Sequence, residues 1–211
     1  MAEALIARLR QPVIKVLDLA GNCQANHIRA WREVCECSSS WVGVIQDDVM
    51  LCTDFARKVE RRIAEADALG YRAISLFNST KSQPSLRMVN ERWALIDLSR
   101  LGHGGLNAAL PGEQCVLVHR EVAMHYADFT LRHADLYRQF PRVHDALLGL
   151  FLNSRLSGSD DLTWLNESKE ANHIFIAIPN LVNHRIEVPS SIGNSDNDPR
   201  RASTTFSLEA E

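Results

Sequence analysis

The chain has 211 residues, of which 45% are hydrophobic and 23% are charged, and its net charge at pH 7 is -3. These values are typical of a globular domain, and they give no support to unaided binding of a polyanion. No apolar run approaches the roughly 18 residues that a membrane-spanning helix needs, and the N-terminal segment lacks the basic-then-apolar order of a signal peptide.

Helices and strands alternate in the first third of the chain. Apolar residues at helical spacing predict helices over residues 2–10, 24–36 and 54–69. Short runs of β-branched and apolar residues predict strands over residues 12–19, 41–46 and 72–77. Thr53 or Asp54 is placed to cap the third helix with a side-chain oxygen, and Gly70 is placed to end it.

The later part of the chain is less regular. Predicted strands cover residues 92–98, 114–119 and 173–178, and helical patterns cover 120–137 and 143–156. A polar, Gly-rich loop lies between the first two of these strands. Asn107 within it and Gln114 at its end are candidates for contacts with sugar hydroxyls, and a plain connection is the alternative interpretation. We expect one domain over residues 1–188 and a polar C-terminal loop or tail over residues 189–211.

The alternating elements predict an α/β fold, with a mostly parallel central sheet between two layers of helices in a Rossmann-like three-layer sandwich. Ligands of such sheets bind beyond the carboxyl ends of the strands. The stretch "WVGVIQDDVMLCTDF" is therefore informative, because Asp47 and Asp48 follow a buried strand at such an end. The predicted strand over residues 12–19 carries Asp18 near its own end.

Two adjacent carboxylates repel each other unless a cation compensates their charge. Mg²⁺ and Mn²⁺ suit this position, because they prefer oxygen ligands and accept few protein ligands when phosphates supply the others. The alternative is that Asp47 or Asp48 only interacts with the dipole of the following helix. Since Thr53 and Asp54 already suit that role, the pattern favours a ligand site.

The same stretch resembles the metal-site strand of GT-A glycosyltransferases, in which an apolar strand leads into an acidic EDD, QDD or DxD motif and then a helix. It is most similar to bacterial and phage sugar transferases. The upstream "NHIRAWREV" resembles the helix that lines the donor pocket, and "IPNLVNHRIEVPSSIGN" resembles the closing segment of the family. The resemblance covers roughly residues 12–206 and implies a GT-A-like domain.

The resemblance implies a nucleotide-sugar donor and a Mn²⁺ or Mg²⁺ ion that stabilises the diphosphate leaving group. Asp48 is then a direct metal ligand, and His184 is the downstream ligand. Within the same motif, Asp47 and Gln46 are expected to contact the donor. Asn26 and Asp18 complete the expected donor contacts.

Asp145 lies at the start of the predicted helix over residues 143–156, and the resemblance implies that it is the general base for an acceptor hydroxyl. A first-turn acid that only favours the helix is the alternative interpretation. The acceptor is a surface polysaccharide, a protein or a modified nucleic-acid base. The protein is expected in the cytoplasm, or in the host cytoplasm if a phage encodes it.

The chain departs from the family at its start, because no strand precedes the first predicted helix. The N-terminus is therefore expected to be shortened. A donor pocket completed within a homo-oligomer is one consequence, and a catalytically inactive GT-A-derived binding or assembly protein is the other. A metal-dependent phosphoryl-transfer or nuclease domain needs more clustered acids and a basic face, and the sequence shows neither.

Overall fold

A computed structural model describes residues 2–9, 13–16, 23–78, 86–97, 114–132, 148, 151, 173–185 and 205–209. The described residues contain four helices: α1 (Ala2–Leu9), α2 (Cys23–Cys35), α3 (Phe55–Leu69) and α4 (Arg120–Arg132). They contain eight strands: β1 (Trp41–Ile45), β2 (Val49–Leu51), β3 (Ala73–Ser75), β4 (Leu86–Met88), β5 (Trp93–Asp97), β6 (Cys115–His119), β7 (His173–Ala177) and β8 (Val182–His184). The predicted mixed α/β class is confirmed.

Six strands form one mixed sheet in the order β1-β6-β3-β7-β5-β4. Only β3 and β7 pair in parallel, and the other four neighbouring pairs are antiparallel. The prediction of a mostly parallel sheet is therefore wrong. One reason is a hairpin: β4 and β5 are joined by a tight turn in which the Asn90 side chain accepts hydrogen bonds from the backbone N–H groups of Arg92 and Trp93.

The second reason is the position of β6, which lies between β1 and β3 and runs antiparallel to both. β1 and β3 consequently point in the same direction, and β7 shares it because it is parallel to β3. The carboxyl ends of these three strands meet at one edge of the sheet, which we call the carboxyl edge. A second sheet of two antiparallel strands, β2 and β8, continues the chain beyond that edge.

Helices cover both faces of the six-stranded sheet, and each face has its own apolar core. On one face, Trp31 of α2 and Tyr126 of α4 pack with Val42 and Val116 of the sheet. On the other face, apolar residues of α1, α3 and the small sheet pack against the alternate strand residues, which point away from the first face and include Trp41 and Cys115. This alternation follows from the period of two in a strand.

Helix α3 begins and ends close to the predicted positions. Gly70 ends it in the left-handed conformation, with φ 71°, and donates its backbone N–H to the last turn. The predicted side-chain cap is wrong, because Asp54 occupies the N-cap position with φ 53° and makes no capping hydrogen bond. The preceding Thr53 N–H instead donates to the carbonyl of Leu208, at 2.7 Å, from the C-terminal segment.

The N-terminal part of the chain differs from the prediction of a strand over residues 12–19. Residues 13–16 are described, and they are in neither a helix nor a strand. Val13 and Ile14 are exposed, and Lys15 forms an ion pair with Glu3 of α1. Over these residues the segment therefore contacts α1 through a charged pair.

None of the helices in the described ranges is both long enough and apolar enough to cross a membrane. The cysteines that the structure reports as free thiols are Cys35, Cys37, Cys52 and Cys115. Burial raises the pKa of the Cys115 thiol to about 12, so this side chain stays protonated and inert at neutral pH.

Candidate functional site at the carboxyl edge

Asp47 and Asp48 form the turn between β1 and β2, directly beyond the carboxyl end of β1. The backbone carbonyl of Asp48 accepts a hydrogen bond from the N–H of Arg185, at 2.9 Å. This bond extends the ladder of the small sheet, in which Val49 lies opposite His184. The pairing of β2 with β8 therefore fixes Asp48 beside the last residues of a distant strand.

The two predicted metal ligands lie in direct contact. The Nε2 atom of His184 is 3.2 Å from Oδ2 of Asp48. The His184 side chain is only 5% exposed, whereas that of Asp48 is 24% exposed. A histidine and a carboxylate from opposite ends of the chain thus share one partly open position at the sheet edge.

The second carboxylate oxygen of Asp48 is notable. Oδ1 is buried, and it has no hydrogen-bond partner among the described residues. An unsatisfied buried acceptor costs about 1–3 kcal/mol, and more when it is charged. A bound cation or a hydrogen-bond donor at this position would explain why the atom is buried without a partner.

The contact distance fits a shared cation. Ligand atoms about 2.1 Å from one metal ion and at a right angle to each other are about 3.0 Å apart, close to the Asp48–His184 separation. Within the described ranges, no group of three or more His, Cys, Asp or Glu side chains can hold a metal ion. Asp48 and His184 are therefore two candidate ligands, and the described residues supply no third.

The other motif residues line the same edge to different degrees. Asp47 is exposed, and Gln46 is half-buried. The N–H of Gln46 donates to the carbonyl of Gln114, at 3.0 Å, so the β1–β6 ladder continues one residue beyond both strands. Gln114, a candidate for hydroxyl contacts from the sequence, is thereby held near Asp47 and Asp48.

Asn26 lies in the first turn of α2, where its Oδ1 accepts a hydrogen bond from Arg29, at 3.1 Å. Only five residues separate α2 from β1, and the two elements pack together. The helix must therefore run back alongside the strand, and its N-terminal turn lies toward the carboxyl end of β1. Asn26 therefore lies toward the carboxyl edge, and its contact with a donor stays a prediction.

Two of the predicted site residues, Asp18 and Asp145, lie outside the described residues. Leu148 and Phe151, from the predicted helix over residues 143–156, are helical and buried in the core beneath α2 and α4.

Sequence reasoning missed Asn180, which is fully buried at the end of β7. Its Oδ1 accepts the backbone N–H of Asn78, at 3.1 Å, and its Nδ2 donates to the carbonyl of Ala177, at 2.8 Å. The side chain joins the ends of β3 and β7 immediately before the chain turns into β8. Only the tertiary structure reveals this role, because one Asn after a proline is an ordinary turn signal.

A surface groove of about 570 Å³ is lined by the second half of α3 and by the turn of the β4–β5 hairpin, including Glu65, Leu69 and Trp93. Asp48 and His184 do not line it. We assign the candidate site to the carboxyl edge, because the chemistry-bearing side chains and the orphaned oxygen lie there.

No protein-family model, no curated protein and no solved structure matches this chain.

Proposed function

We propose that the protein transfers a sugar from a nucleotide-sugar donor to a hydroxyl acceptor with the help of Mn²⁺ or Mg²⁺ held by Asp48 and His184. The observation that carries the proposal is the 3.2 Å contact between these two side chains, together with the unpartnered Asp48 Oδ1. A sequence resemblance paired the same two residues although they lie on separate strands. The GT-A-like fold is part of the proposal.

The direction of the strands supports the position of the site. β1, β3 and β7 point the same way, and ligands of open α/β sheets bind beyond the carboxyl ends of the strands. The β1–β2 turn carries the acids to that edge. The mixed sheet thus keeps the one feature that a parallel sheet supplies, which is a shared carboxyl edge.

In the proposed reaction, Asp48 and His184 would hold the cation, which would supply positive charge for a diphosphate leaving group. The nucleotide and its ribose are oriented by four polar side chains, those of Asp47, Gln46, Asn26 and Asp18. Asp145 accepts the proton of the acceptor hydroxyl on a carboxylate oxygen while that hydroxyl attacks the anomeric carbon. The bond between the anomeric carbon and the phosphate oxygen breaks, and the nucleoside diphosphate leaves with the bonding electron pair.

A second candidate is a catalytically inactive GT-A-derived binding or assembly protein, alone or as a homo-oligomer. The small number of candidate metal ligands favours this second candidate. The described residues supply two adjacent side chains, those of Asp48 and His184, and no third. In that case the Asp48–His184 contact is an ordinary hydrogen bond that fixes the β2–β8 sheet. Metal binding separates the two candidates.

The first experiment measures Mn²⁺ binding by calorimetry for the wild type and for Asp48→Asn. Asparagine keeps the shape of the side chain and removes its charge, so we expect Mn²⁺ affinity to fall more than about tenfold. Asp54→Asn is the matched control, because Asp54 is an exposed carboxylate that starts α3. Equal Mn²⁺ affinity in Asp48→Asn and the wild type contradicts the metal site.

The second experiment tests the donor. Thermal unfolding is recorded with UDP, GDP, CMP and dTDP sugars, with and without Mn²⁺. Because a ligand that binds only the folded state stabilises it, we expect one nucleotide to raise the Tm only when the metal is present. Absence of any such response favours the inactive protein. The acceptor, whether a polysaccharide, a protein or a modified nucleic-acid base, is then sought with the stabilising donor.

A further inference from the structure

The Gln46–Gln114 pair closes the β1–β6 ladder at the carboxyl edge. Ile45 lies opposite Cys115, and the next bond, from the N–H of Gln46 to the carbonyl of Gln114, spans 3.0 Å. Residues directly opposite each other in an antiparallel pair project to the same face. The two amide side chains therefore lie on one face, two residues before Asp48.

That face is the one covered by α2 and α4. Val44 and Val116 are the residues two positions inward from the glutamines, and both pack with Trp31 and Tyr126. Because side chains alternate along a strand, Gln114 projects to the face of the sheet that α2 covers. Its backbone partner Gln46 is two residues before Asp48, the proposed cation ligand.

The side chain of Gln114 has an unsatisfied acceptor on this face. Its Oε1 is buried and has no hydrogen-bond partner in the part of the chain that the structure describes. Asp48 Oδ1 is in the same condition. Two buried oxygen acceptors at one edge, both without donors, indicate a ligand that brings its own donors, because proteins leave few such groups unsatisfied.

We infer that Gln114 is a specificity-determining residue that accepts a hydrogen bond from a hydroxyl group of the nucleotide sugar through Oε1. The inference rests on the proposed function and adds to it a residue outside the acidic motif. The hydroxyl belongs to the ribose or to the transferred sugar. Both sources present the same chemistry, an O–H donor next to a metal-bound diphosphate.

The test compares the wild type with Gln114→Met, which has nearly the same length and shape but no amide. Calorimetry with Mn²⁺ present first identifies the tightest of UDP, GDP and CDP for the wild type. The same protein is then titrated with the 2′-deoxy form of that nucleotide and with its glucose conjugate. Mn²⁺ alone is titrated into both proteins as a reference.

We expect Gln114→Met to bind Mn²⁺ alone as the wild type does, and to bind the hydroxyl-bearing ligand about tenfold more weakly. If the hydroxyl is that of the ribose, the wild type discriminates against the deoxy form and the variant does not. If it is that of the sugar, the variant loses only the affinity gained from glucose.

Stability provides an independent readout. Because the substitution removes a buried acceptor that has no donor, we expect the urea midpoint of Gln114→Met to equal or exceed that of the wild type. A clearly lower midpoint shows that the amide has a structural partner, and it overturns the inference.

The remaining outcomes are distinct. Equal affinity of both proteins for all three ligands overturns the role of Gln114 while leaving the proposed function intact. Loss of binding of Mn²⁺ alone in Gln114→Met shows that Oε1 is a metal ligand, and it overturns the assignment to a hydroxyl. A wild type that binds none of the nucleotides with Mn²⁺ removes the proposed function and this inference together.

Discussion

Arg62 is the most buried charged residue of the described part of the chain, at 3% exposure. Its Nη2 donates to the carbonyl of Ile178, at 2.7 Å, and its guanidinium lies 5.7 Å from the centre of the Trp93 ring. Its Nη1 donates to Glu65, at 2.8 Å. Arg62 therefore connects α3 to the end of β7 and to β5 through these interactions of its guanidinium group.

Glu65 is the centre of this charged group. Besides Arg62, it accepts hydrogen bonds from Arg92, at 2.6 Å, and from Arg61, at 3.3 Å. Burial by itself raises the pKa of Glu65, but the hydrogen bonds and charges of Arg62 and Arg92 outweigh it and hold the pKa below its ordinary value of 4.5. A lowered folded-state pKa gives stability that is present above 4.5 and is lost as the pH falls through the folded value.

Replacing Glu65 with Gln tests this linkage at the residue scale. We expect the free energy of unfolding to fall by about 2 kcal/mol at pH 7, because Arg62 then keeps its buried charge without a carboxylate. The difference from the wild type shrinks as the pH falls through the lowered folded-state pKa of Glu65, because the wild type then loses the same charge. Urea titrations at pH 7 and at a series of acidic pH values measure it.

Glu91→Gln is the control for that measurement. Glu91 also faces Arg92, but at 3.9 Å and with a side chain that is 88% exposed. An exposed ion pair of this kind has little effect on stability. A pH-independent loss in Glu65→Gln contradicts the assigned role of its charge.

At the scale of elements, the close approach of β1 to β6 depends on Gly43. A Cβ atom at this position would overlap the Cδ2 of Leu117 and the backbone carbonyl oxygen of Val116. The side chain of Leu117 can rotate away, but the carbonyl belongs to the sheet ladder and cannot move independently. The strand that presents Asp47 and Asp48 is therefore placed by a residue without a side chain.

We expect Gly43→Ala to reduce the free energy of unfolding by about 3 kcal/mol, because overlap with backbone is not relieved by a rotamer change. Urea unfolding provides the measurement. Adding Leu117→Ala removes only the side-chain overlap, so the double variant should recover less than the full loss caused by Gly43→Ala. Full recovery shows that the backbone contact is unimportant.

At the scale of the whole molecule, the two sheets are joined where Asn180 lies. Beyond the side-chain bonds of Asn180, the N–H groups of Leu181 and Val182 both donate to the carbonyl of Leu76. The C-terminal segment reaches the same place, because the N–H of Asn180 donates to Oγ1 of Thr205, at 3.1 Å. Residues 205–209 thus contact the core near the strand that carries His184.

Thr205→Val removes the hydroxyl and keeps the shape of the side chain. The N–H of Asn180 then loses its acceptor, and we expect a loss of about 1–2 kcal/mol, which lowers the Tm by roughly 2–8 °C in a protein of this size. Thr205→Ser is the matched control and should unfold near the wild-type temperature. If Thr205→Val unfolds at the same temperature as Thr205→Ser, the hydroxyl of Thr205 does not have the assigned role.

Much of the element list could be predicted, because each element has its own local pattern. The apolar positions of α3, the glycine that ends it and the β-branched strand at residues 41–45 are readable within a few residues of sequence. The direction and order of the strands were not readable in the same way. Whether β6 enters the sheet between β1 and β3 depends on pairings between distant residues, and the alternation of elements gives no information on them.

Some features of the candidate site could likewise be predicted from the sequence, and others could not. The sequence by itself determined that two acids follow a buried strand, and its resemblance to sugar transferases selected Asp48 and His184. Only the tertiary structure decided that these side chains touch, that one oxygen of Asp48 is buried without a partner among the described residues, and that Gln114 pairs with Gln46. The physical reason is that local periodicity fixes which face a side chain occupies, whereas burial and contact depend on long-range strand pairing.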